Sequence, residues 1–310
     1  MTAQLTVAYE HCRTIARIEA KNFYYAFLAL PKHKSDAMCA IYAFMRKADD
    51  LSDDESISIE DRRVLMQQWL DTWRAARAGG ATSDLIFLAL NDTQQRFAIP
   101  DELLEQLVAG TTMDLMPTKE GVLTAMDASG KSYEIYESFD DLYRYCYLVA
   151  SVVGLVCIRV FGYSDTRAEK FAEHTGIAFQ LTNILRDVRE DAERGRIYLP
   201  LEDMNYHGVT AQQILDAQNA NAGKAMLPLL RQEIERAREY YKAADELIPL
   251  LDRDARAAMQ VLAAIYRELL ERIAASPAQV FSTRMGVPAS RKLTLLGKGM
   301  VLSFVNRMIA

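Results

Sequence analysis

The sequence predicts an all-α protein, organised as a single large helical domain over residues 1–310. Turn-forming residues are scarce: the 310 residues include 14 glycines and 8 prolines, about 7% of the chain, where roughly 12% is usual. No run of residues alternates between apolar and polar in the manner of a half-buried strand. Hydrophobic residues make up 50% of the chain and charged residues 25%, which is typical of soluble globular proteins and excludes disorder along the whole chain.

Glycine and proline mark where successive helices are expected to end. Between these positions the chain is predicted to form about ten helices, and the segment from Pro117 to Tyr133 is the best candidate for a long loop. No linker or composition shift divides the chain, which favours one large domain over two. No fixed-period repeat is apparent, which argues against a solenoid. The helix-terminating residues, in chain order, are Pro31, Gly79, Gly80, Pro100, Pro117, Gly130, Gly162, Pro200, Gly208, Pro277 and Pro288.

Charge and cysteine usage exclude several classes of function. With 36 basic and 42 acidic residues the net charge is −6, which argues against a nucleic-acid binder that needs a basic surface. The four histidines are scattered, so a zinc site is not expected. The four cysteines form no CxxC pair and are expected to be free thiols in a reducing compartment.

The N-terminus, the longest apolar stretch and the C-terminal tail bear on where in the cell the protein is expected. The N-terminus lacks the pattern of a signal peptide, and the longest apolar stretch, 148–158, is about half of the ~20 residues that a membrane span needs. A cytoplasmic protein is therefore predicted. Residues 290–310 form a basic, apolar tail, since no acid follows Glu271. Two interpretations stay open for this tail: a final helix packed on the body, or a helix lying on an anionic membrane, where each basic residue contributes about 1 kcal/mol.

Two acidic clusters are the most informative feature of the chain. Each contains an Asp-x-x-x-Asp spacing, Asp49 with Asp53 and Asp187 with Asp191, and residues four apart lie on one face of a helix. The first stripe continues through Tyr42 and Arg46, and the second through Gln180 and Asn183. A single such pair is typical of a solvated charged face. Two pairs, each extended into a polar stripe three turns long, favour a binding site.

The apolar neighbours of the second stripe also favour a site. Ile177, Leu181, Ile184, Leu185 and Val188 fall on or beside it, whereas Thr182, Arg186 and Arg189 fall on the opposite side of the helix. Carboxylates that face an interior repel each other by roughly 3 kcal/mol per pair at ~6 Å, so a cation must offset that cost. Oxygen ligands without histidine or cysteine select Mg²⁺, or else Mn²⁺. A di-iron bundle is disfavoured because it needs Glu-x-x-His pairs, which this chain lacks.

At these residues the chain resembles the squalene/phytoene synthase family, from about Tyr9 to Lys292. Four segments, in this order, carry the resemblance: NFYYAFLALP (22–31), YAFMRKADDLSD (42–53), YRYCYLVASVVG (143–154) and FQLTNILRDVREDAERGRIYLP (179–200). The third departs from the family by having Ser151 where glycine is usual. The resemblance implies an isoprenoid-synthase type of helical bundle whose central cavity holds two isoprenoid diphosphates with Mg²⁺.

The resemblance also implies roles for individual residues. The implied metal ligands are Asp49, Asp53, Asn183, Asp187 and Asp191, of which the four aspartates are essential to catalysis. The implied diphosphate contacts are Lys21, Arg46, Arg186, Arg196, Tyr198 and Arg284, although the helical wheel sets Arg186 off the stripe. The implied cavity wall is Phe23, Phe27, Tyr42, Tyr145, Gln180 and Tyr266, and Tyr145 is the candidate for assisting proton loss or, equally, a core aromatic.

The implied reaction is a head-to-head condensation of two farnesyl diphosphates to presqualene diphosphate, with reduction to squalene left open. The main alternative joins two geranylgeranyl diphosphates and leads to phytoene. A non-catalytic family member that acts as an assembly factor is a further alternative, which the intact aspartates disfavour. A head-to-tail elongase or terpene cyclase is disfavoured by the paired aspartate motifs and the YCY segment. NADPH use has no fingerprint, because no GxGxxG sequence follows a strand.

Overall fold

The computed structural model describes residues 2–308 except Glu55, 117–119 and Gln218, and it leaves the side chains of residues 21, 22, 114, 300 and 302–308 undescribed. Fifteen α-helices account for most of these residues, which confirms the all-α prediction. The helices are α1 Ala3–Glu19, α2 Lys21–Leu28, α3 Lys32–Ser52, α4 Ile59–Arg77, α5 Leu85–Phe97, α6 Asp101–Thr112, α7 Phe139–Cys146, α8 Val152–Phe161, α9 Arg167–Glu193, α10 Leu201–Tyr206, α11 Ala211–Leu215, α12 Ala220–Gly223, α13 Leu227–Leu247, α14 Arg253–Ala275 and α15 Ala289–Met308.

Most of the predicted stop signals lie close to real helix boundaries, but Gly130 lies in a turn between two strands and Pro117 falls outside the described residues. Pro31, Pro100 and Pro200 are the N-caps of α3, α6 and α10. Gly162 ends α8 with a φ of 76°, a conformation that glycine adopts without strain. Additional boundaries explain why the described helices exceed the predicted ten. One of them is a single π-helical turn, Tyr147–Ser151, which separates α7 from α8 without ending the helical path.

Side-chain caps start several helices at the residues expected from their chemistry. The Ser58 hydroxyl accepts a hydrogen bond from the Asp61 amide, and Ser138 does the same for Asp141. The Asp84 carboxylate accepts from the two amides of Ile86 and Phe87. Each cap satisfies amides that have no partner inside the first turn of the helix.

The prediction that the chain has no strand is wrong, and so is the prediction of a loop over the described part of 117–133. Residues Val122–Met126 (β1) and Ser132–Tyr136 (β2) form an antiparallel hairpin. The two-residue strand Arg196–Ile197 (β3) then pairs with β2 in parallel. Both strands are short and neither alternates regularly between buried and exposed residues, and the third strand lies about sixty residues further along the chain.

Two apolar clusters make up the core. The first is built on α1, α3 to α6 and α8, and includes Trp73 and Phe44, both at most 1% exposed. The second is built on α9, α13 and α14. Phe23 and Phe179 pack against both clusters, and a large cavity lies between them.

The apolar helix at the centre of the chain is longer than the sequence interpretation allowed. Among the described residues, the stretch Phe139–Phe161 is long and apolar enough to cross a membrane by length and composition alone. It continues through the π-helical turn, and 39% of its most apolar window is buried inside the protein. Val149, Val153 and Cys157 of this stretch line the cavity, as expected for a core helix of a helical bundle.

Candidate active site

The cavity between the two clusters has a volume of about 430 Å³ and is lined mainly by apolar side chains. Its wall comes from α2, α3, the π-helical turn with α8, α9 and α14. Along α3 the lining residues change from Met38 and Ile41 to Arg46 and Asp49, and α9 shows the same gradient. The cavity therefore has an apolar part and a polar part. The polar and charged lining residues are Glu19, Arg46, Asp49, Thr175, Gln180, Asn183, Arg186 and Arg284.

Close backbone contact brings α9 against the π-helical turn. A Cβ atom at Gly176 would lie 2.6 Å from the Ser151 Cα, so glycine is required for this approach. The Ser151 hydroxyl donates a hydrogen bond of 2.7 Å to the Glu173 carbonyl across the same contact. Ser151 is thus accommodated at this close contact because its hydroxyl bonds to the facing helix.

Asp49 is a half-buried carboxyl group in the polar part of the cavity. Burial, followed by the charge of Asp53, raises its pKa to about 7, while the Arg46 guanidinium opposes that shift. Asp53 caps the end of α3, where its amide donates 2.8 Å to the Asp49 carbonyl. Arg46 pairs with Asp50 at 2.7 Å. The first acidic segment thus places the Asp49 carboxyl in the cavity, whereas Asp53 is exposed and does not line it.

The second acidic segment, on α9, is divided between two places. Asp187 accepts hydrogen bonds from Arg186 Nε (2.8 Å) and Arg284 Nη2 (3.3 Å). Asp191 lies in a separate small cleft with Arg196 and Tyr198. Burial and the charge of Asp187 raise the Asp191 pKa to about 7, and Arg196 opposes the shift.

The predicted metal ligands are therefore not gathered into one cluster. Of the five, Asp49 and Asn183 line the cavity. Within the described part of the chain, no three His, Cys, Asp or Glu side chains lie close enough together to hold a metal ion by themselves. Asn183 is notable among the five because its Oδ1 atom is buried without a hydrogen-bond partner, while its Nδ2 donates to Gln180 (3.3 Å).

The helical wheel of α9 was misleading for two residues. Arg186, set on the side opposite the stripe, lines the cavity. Thr182, set on the same side, is fully buried and hydrogen-bonded to Tyr241 at 2.9 Å. The reason is that α9 is enclosed on several sides, with the cavity along one side and α13 packed along another. A simple division into a buried and a solvated side therefore fails.

The predicted aromatic wall is largely present. Phe23, Phe27, Tyr42 and Tyr266 line the cavity together with Gln180. The ring of Tyr266 stacks on Phe179 (4.4 Å between centroids) and contacts Phe23 (6.0 Å). Phe179 was not predicted as a wall residue, although its position four residues before Asn183 could have indicated it.

Tyr145 does not line the cavity, contrary to the prediction. Its ring stacks on Tyr198 with centroids 5.0 Å apart, and Tyr136 lies 5.5 Å away. Burial raises its pKa well above the ordinary value, and a hydrogen bond with Tyr198 adds to the shift. Of the predicted diphosphate contacts, Arg46, Arg186 and Arg284 line the cavity, Arg196 and Tyr198 line the small cleft, and the Lys21 side chain lies outside what the structure describes.

Comparison with known proteins identifies relatives along almost the whole chain. The family model for squalene/phytoene synthase matches residues 5–291. A phytoene synthase of Mycobacterium tuberculosis is 34% identical over 292 residues, which cover 93% of this chain and 89% of the relative. A 15-cis-phytoene synthase of Synechocystis is 34% identical over 309 residues, with coverage of 95% and 85%.

Solved structures resemble the fold equally broadly. A dehydrosqualene synthase in complex with a ligand superposes with a TM-score of 0.79 at 29% identity, covering 96% of each chain. Squalene synthase HpnC from Alicyclobacillus acidocaldarius has a TM-score of 0.76 at 24% identity, covering 90% of this chain and 97% of the other, and this likeness bears on the fold alone. These likenesses confirm the predicted type of helical bundle around a central cavity.

Proposed function

Since this chain belongs to the squalene/phytoene synthase family of prenyltransferases, we propose that it joins two farnesyl diphosphates head to head into presqualene diphosphate. The observation that carries the proposal is the gradient inside the cavity. Three arginines and a half-buried aspartate lie in a cavity whose remaining wall is mainly apolar and aromatic. An isoprenoid diphosphate has the same division, with an anionic head and a hydrocarbon chain.

The arginines of the cavity match the anionic end of the substrate. Arg46, Arg186 and Arg284 all line it, and guanidinium groups bind phosphate oxygens through charge-assisted hydrogen bonds. Each already contacts a carboxylate: Arg46 contacts Asp50, while Arg186 and Arg284 contact Asp187. Substrate binding on this proposal exchanges those carboxylates for diphosphate oxygens.

We also propose that the aspartates and Asn183 bind Mg²⁺ or Mn²⁺ together with the diphosphate. The donors are oxygen atoms, as hard divalent ions prefer. The unpartnered Asn183 Oδ1 and the raised pKa of Asp49 both indicate groups that a cation would stabilise. Since the described residues contain no compact acidic cluster, diphosphate oxygens are expected to complete the coordination. When bound, the cation supplies positive charge that stabilises the departing diphosphate.

The apolar part of the cavity suits the carbocation chemistry. On departure of diphosphate from the first substrate, an allylic cation forms, and the double bond of the second substrate attacks it. Loss of a proton then closes a cyclopropane ring. The rings of Phe23, Phe179 and Tyr266 offer π-faces that stabilise positive charge, and the apolar wall excludes water that would quench the cation.

The cavity, about 430 Å³ in volume, has to hold two hydrocarbon chains together, and the proposal takes the shorter C15 chains. The second candidate is condensation of two geranylgeranyl diphosphates to the C40 product. It is supported by the relatives that are named phytoene synthases at 34% identity.

The test is product identification after incubation of the purified protein with Mg²⁺ and either farnesyl or geranylgeranyl diphosphate, with and without NADPH. A C30 cyclopropyl diphosphate supports the proposal, and a C30 hydrocarbon that needs NADPH adds a reductive step. A C40 product supports the second candidate. The absence of product from both substrates would refute both and support the non-catalytic alternative.

A peripheral membrane contact through α15 is proposed as well. Its inner side packs on α14, where Leu296 is buried, while Leu293 and Val301 are 56% and 64% exposed. Lys298 is exposed on the same helix. Exposed apolar residues beside basic ones suit an anionic lipid surface.

A further inference from the structure

We propose that Arg236 on α13, outside the cavity, is a positioning residue that holds Arg196 and Tyr198 beside Asp191. This inference rests on the proposed function. Arg196 and Tyr198 belong to residues 195–203, called here the cleft segment, which runs from the end of α9 into α10.

At its first end, the cleft segment is held by the small sheet. β3 pairs with β2 in the register Glu134 to Arg196 and Ile135 to Ile197. The Glu134 amide donates 2.7 Å to the Gly195 carbonyl. Gly195 has a φ of 74°, and a Cβ atom there would lie 2.8 Å from the Ser132 carbonyl oxygen. The backbone on either side of Arg196 is therefore closely determined.

At its second end, the cleft segment is held by Arg236. The guanidinium donates to both carboxylate oxygens of Asp203, over 2.8 Å from Nη1 and 3.1 Å from Nη2. Asp203 is 7% exposed, and it also accepts a hydrogen bond from Gln232. Arg236 Nη1 contacts Glu233 as well, which is 2% exposed. A buried fork of this kind is directional, so it determines both the position and the orientation of α10.

The same arginine also contacts the start of α7. Its guanidinium lies over the Phe139 ring, 4.2 Å from the centroid. The Phe139 amide in turn donates 2.6 Å to the Glu202 side chain on α10. Arg236 thus joins three helices, α7, α10 and α13. Since α7 carries Tyr145 and the cleft segment carries Tyr198, the stacking of these two rings depends on this junction.

Lysine at position 236 would keep the charge but lose the paired hydrogen bonds from two nitrogen atoms to Asp203. We therefore expect Arg236→Lys to lower kcat/KM at least tenfold. Asp203→Asn keeps the shape of the side chain and removes its charge. It is expected to have a similar effect, and it replaces Arg236→Lys in the test if that variant does not fold. The matched control is Arg238→Lys on the same helix, since Arg238 pairs with Glu235 and Glu271 on the exposed surface. No change is expected there.

Two readouts separate positioning from general stability. In an Arg196→Ala background, Arg236→Lys should reduce kcat/KM less than twofold, because the residue through which it acts is already gone. Equal reductions in both backgrounds, or unchanged activity of the single variant, would overturn the inference. Hydrogen exchange is independent of activity: peptides covering 195–206 and 139–146 should exchange faster in Arg236→Lys, with α4 and α5 unchanged. Unaltered exchange would also overturn it, whereas an inactive wild-type protein would refute only the proposed function.

Discussion

Arg284 forms an ion pair with Asp187, 97 residues earlier in the chain, with its Nε 3.0 Å from the carboxylate. Arg186 contacts the same carboxylate at 2.8 Å, so two guanidinium groups converge on Asp187. Both arginines also line the cavity. Asp187 therefore holds the two guanidinium groups at the place where an anionic substrate is proposed to bind.

Arg284→Lys is expected to lower kcat/KM roughly 10- to 100-fold, because a charge-assisted hydrogen bond contributes about 1.5–3 kcal/mol. Steady-state kinetics with the active substrate provide the measurement. Arg291→Lys is the control, since Arg291 also follows α14 in the chain but pairs with Glu268 and does not line the cavity. Equal kinetics for the two variants would contradict a substrate-binding role.

Asp49→Asn is expected to abolish most turnover while making the protein more stable. Its pKa of about 7 exceeds the ordinary value of 3.8, so the ionised form destabilises the folded state. Removing that charge should raise the free energy of unfolding at pH 8 without Mg²⁺ by about 1 kcal/mol or more. Urea unfolding measures the change, and the exposed Asp54→Asn is the control. A destabilised Asp49→Asn would refute the electrostatic explanation.

Met38→Ala should increase the acceptance of the longer substrate. Met38 lines the cavity eleven residues before Asp49 on α3, which places it about 16 Å further along the helix. Shortening it deepens the apolar end, so the ratio of C40 to C30 product is expected to rise when both substrates are supplied. Met66→Ala controls for stability, because Met66 is equally buried (3% exposed) and lies away from the cavity. A similar shift in the control would argue against the depth explanation.

Glu233 should make stability depend on pH. Burial is the main cause that raises its pKa from 4.5 to about 7, with Arg236 opposing and Asp203 adding to the shift. The folded state thus holds the proton more tightly, and stability falls as pH rises from 4.5 to about 7. Glu233→Gln lacks this loss. Its free energy of unfolding relative to wild type should therefore rise by roughly 3 kcal/mol between pH 4.5 and about 7.

Urea unfolding across that pH range tests the prediction for Glu233. Asp49 and Asp191 also have raised pKa values, but both are present in the two proteins, and their contributions cancel in the comparison. A difference in unfolding free energy that does not change with pH would show that Glu233 has an ordinary pKa.

The α15 surface should bind anionic vesicles in a salt-sensitive manner. Replacing the exposed Lys298 by glutamate and Leu293 by aspartate is expected to reduce co-sedimentation with phosphatidylglycerol vesicles several-fold. Arg167→Glu changes an exposed charge elsewhere and should have no such effect. Equal partitioning of all three proteins would remove the membrane proposal.

Local signals were sufficient to predict much of the helical framework. Pro31, Pro100, Pro200 and Gly162 lie at helix ends because their backbone preferences act within a few residues. The same is true of the polar stripe on α3, which reaches the cavity through Tyr42, Arg46 and Asp49.

Features that depend on distant partners were missed. The β1–β2 hairpin gains its third strand from residues 196–197. Arg186 reaches the cavity although the wheel sets it opposite the stripe, because α9 is enclosed on several sides. Tyr145 stacks on Tyr198, more than fifty residues away, and not on the cavity wall. Periodicity within one helix contains no information about such contacts.

The sequence by itself determined the helical class, the two acidic helices and, through its four signature segments, the family. Tertiary structure decided which of those residues share a cavity. Asp49, Asn183 and Arg284 meet there, whereas Asp191 faces a separate cleft with Arg196. The physical reason is range: helix propensity and capping act over one or two turns, while the position of a side chain in a site depends on how whole helices pack against each other.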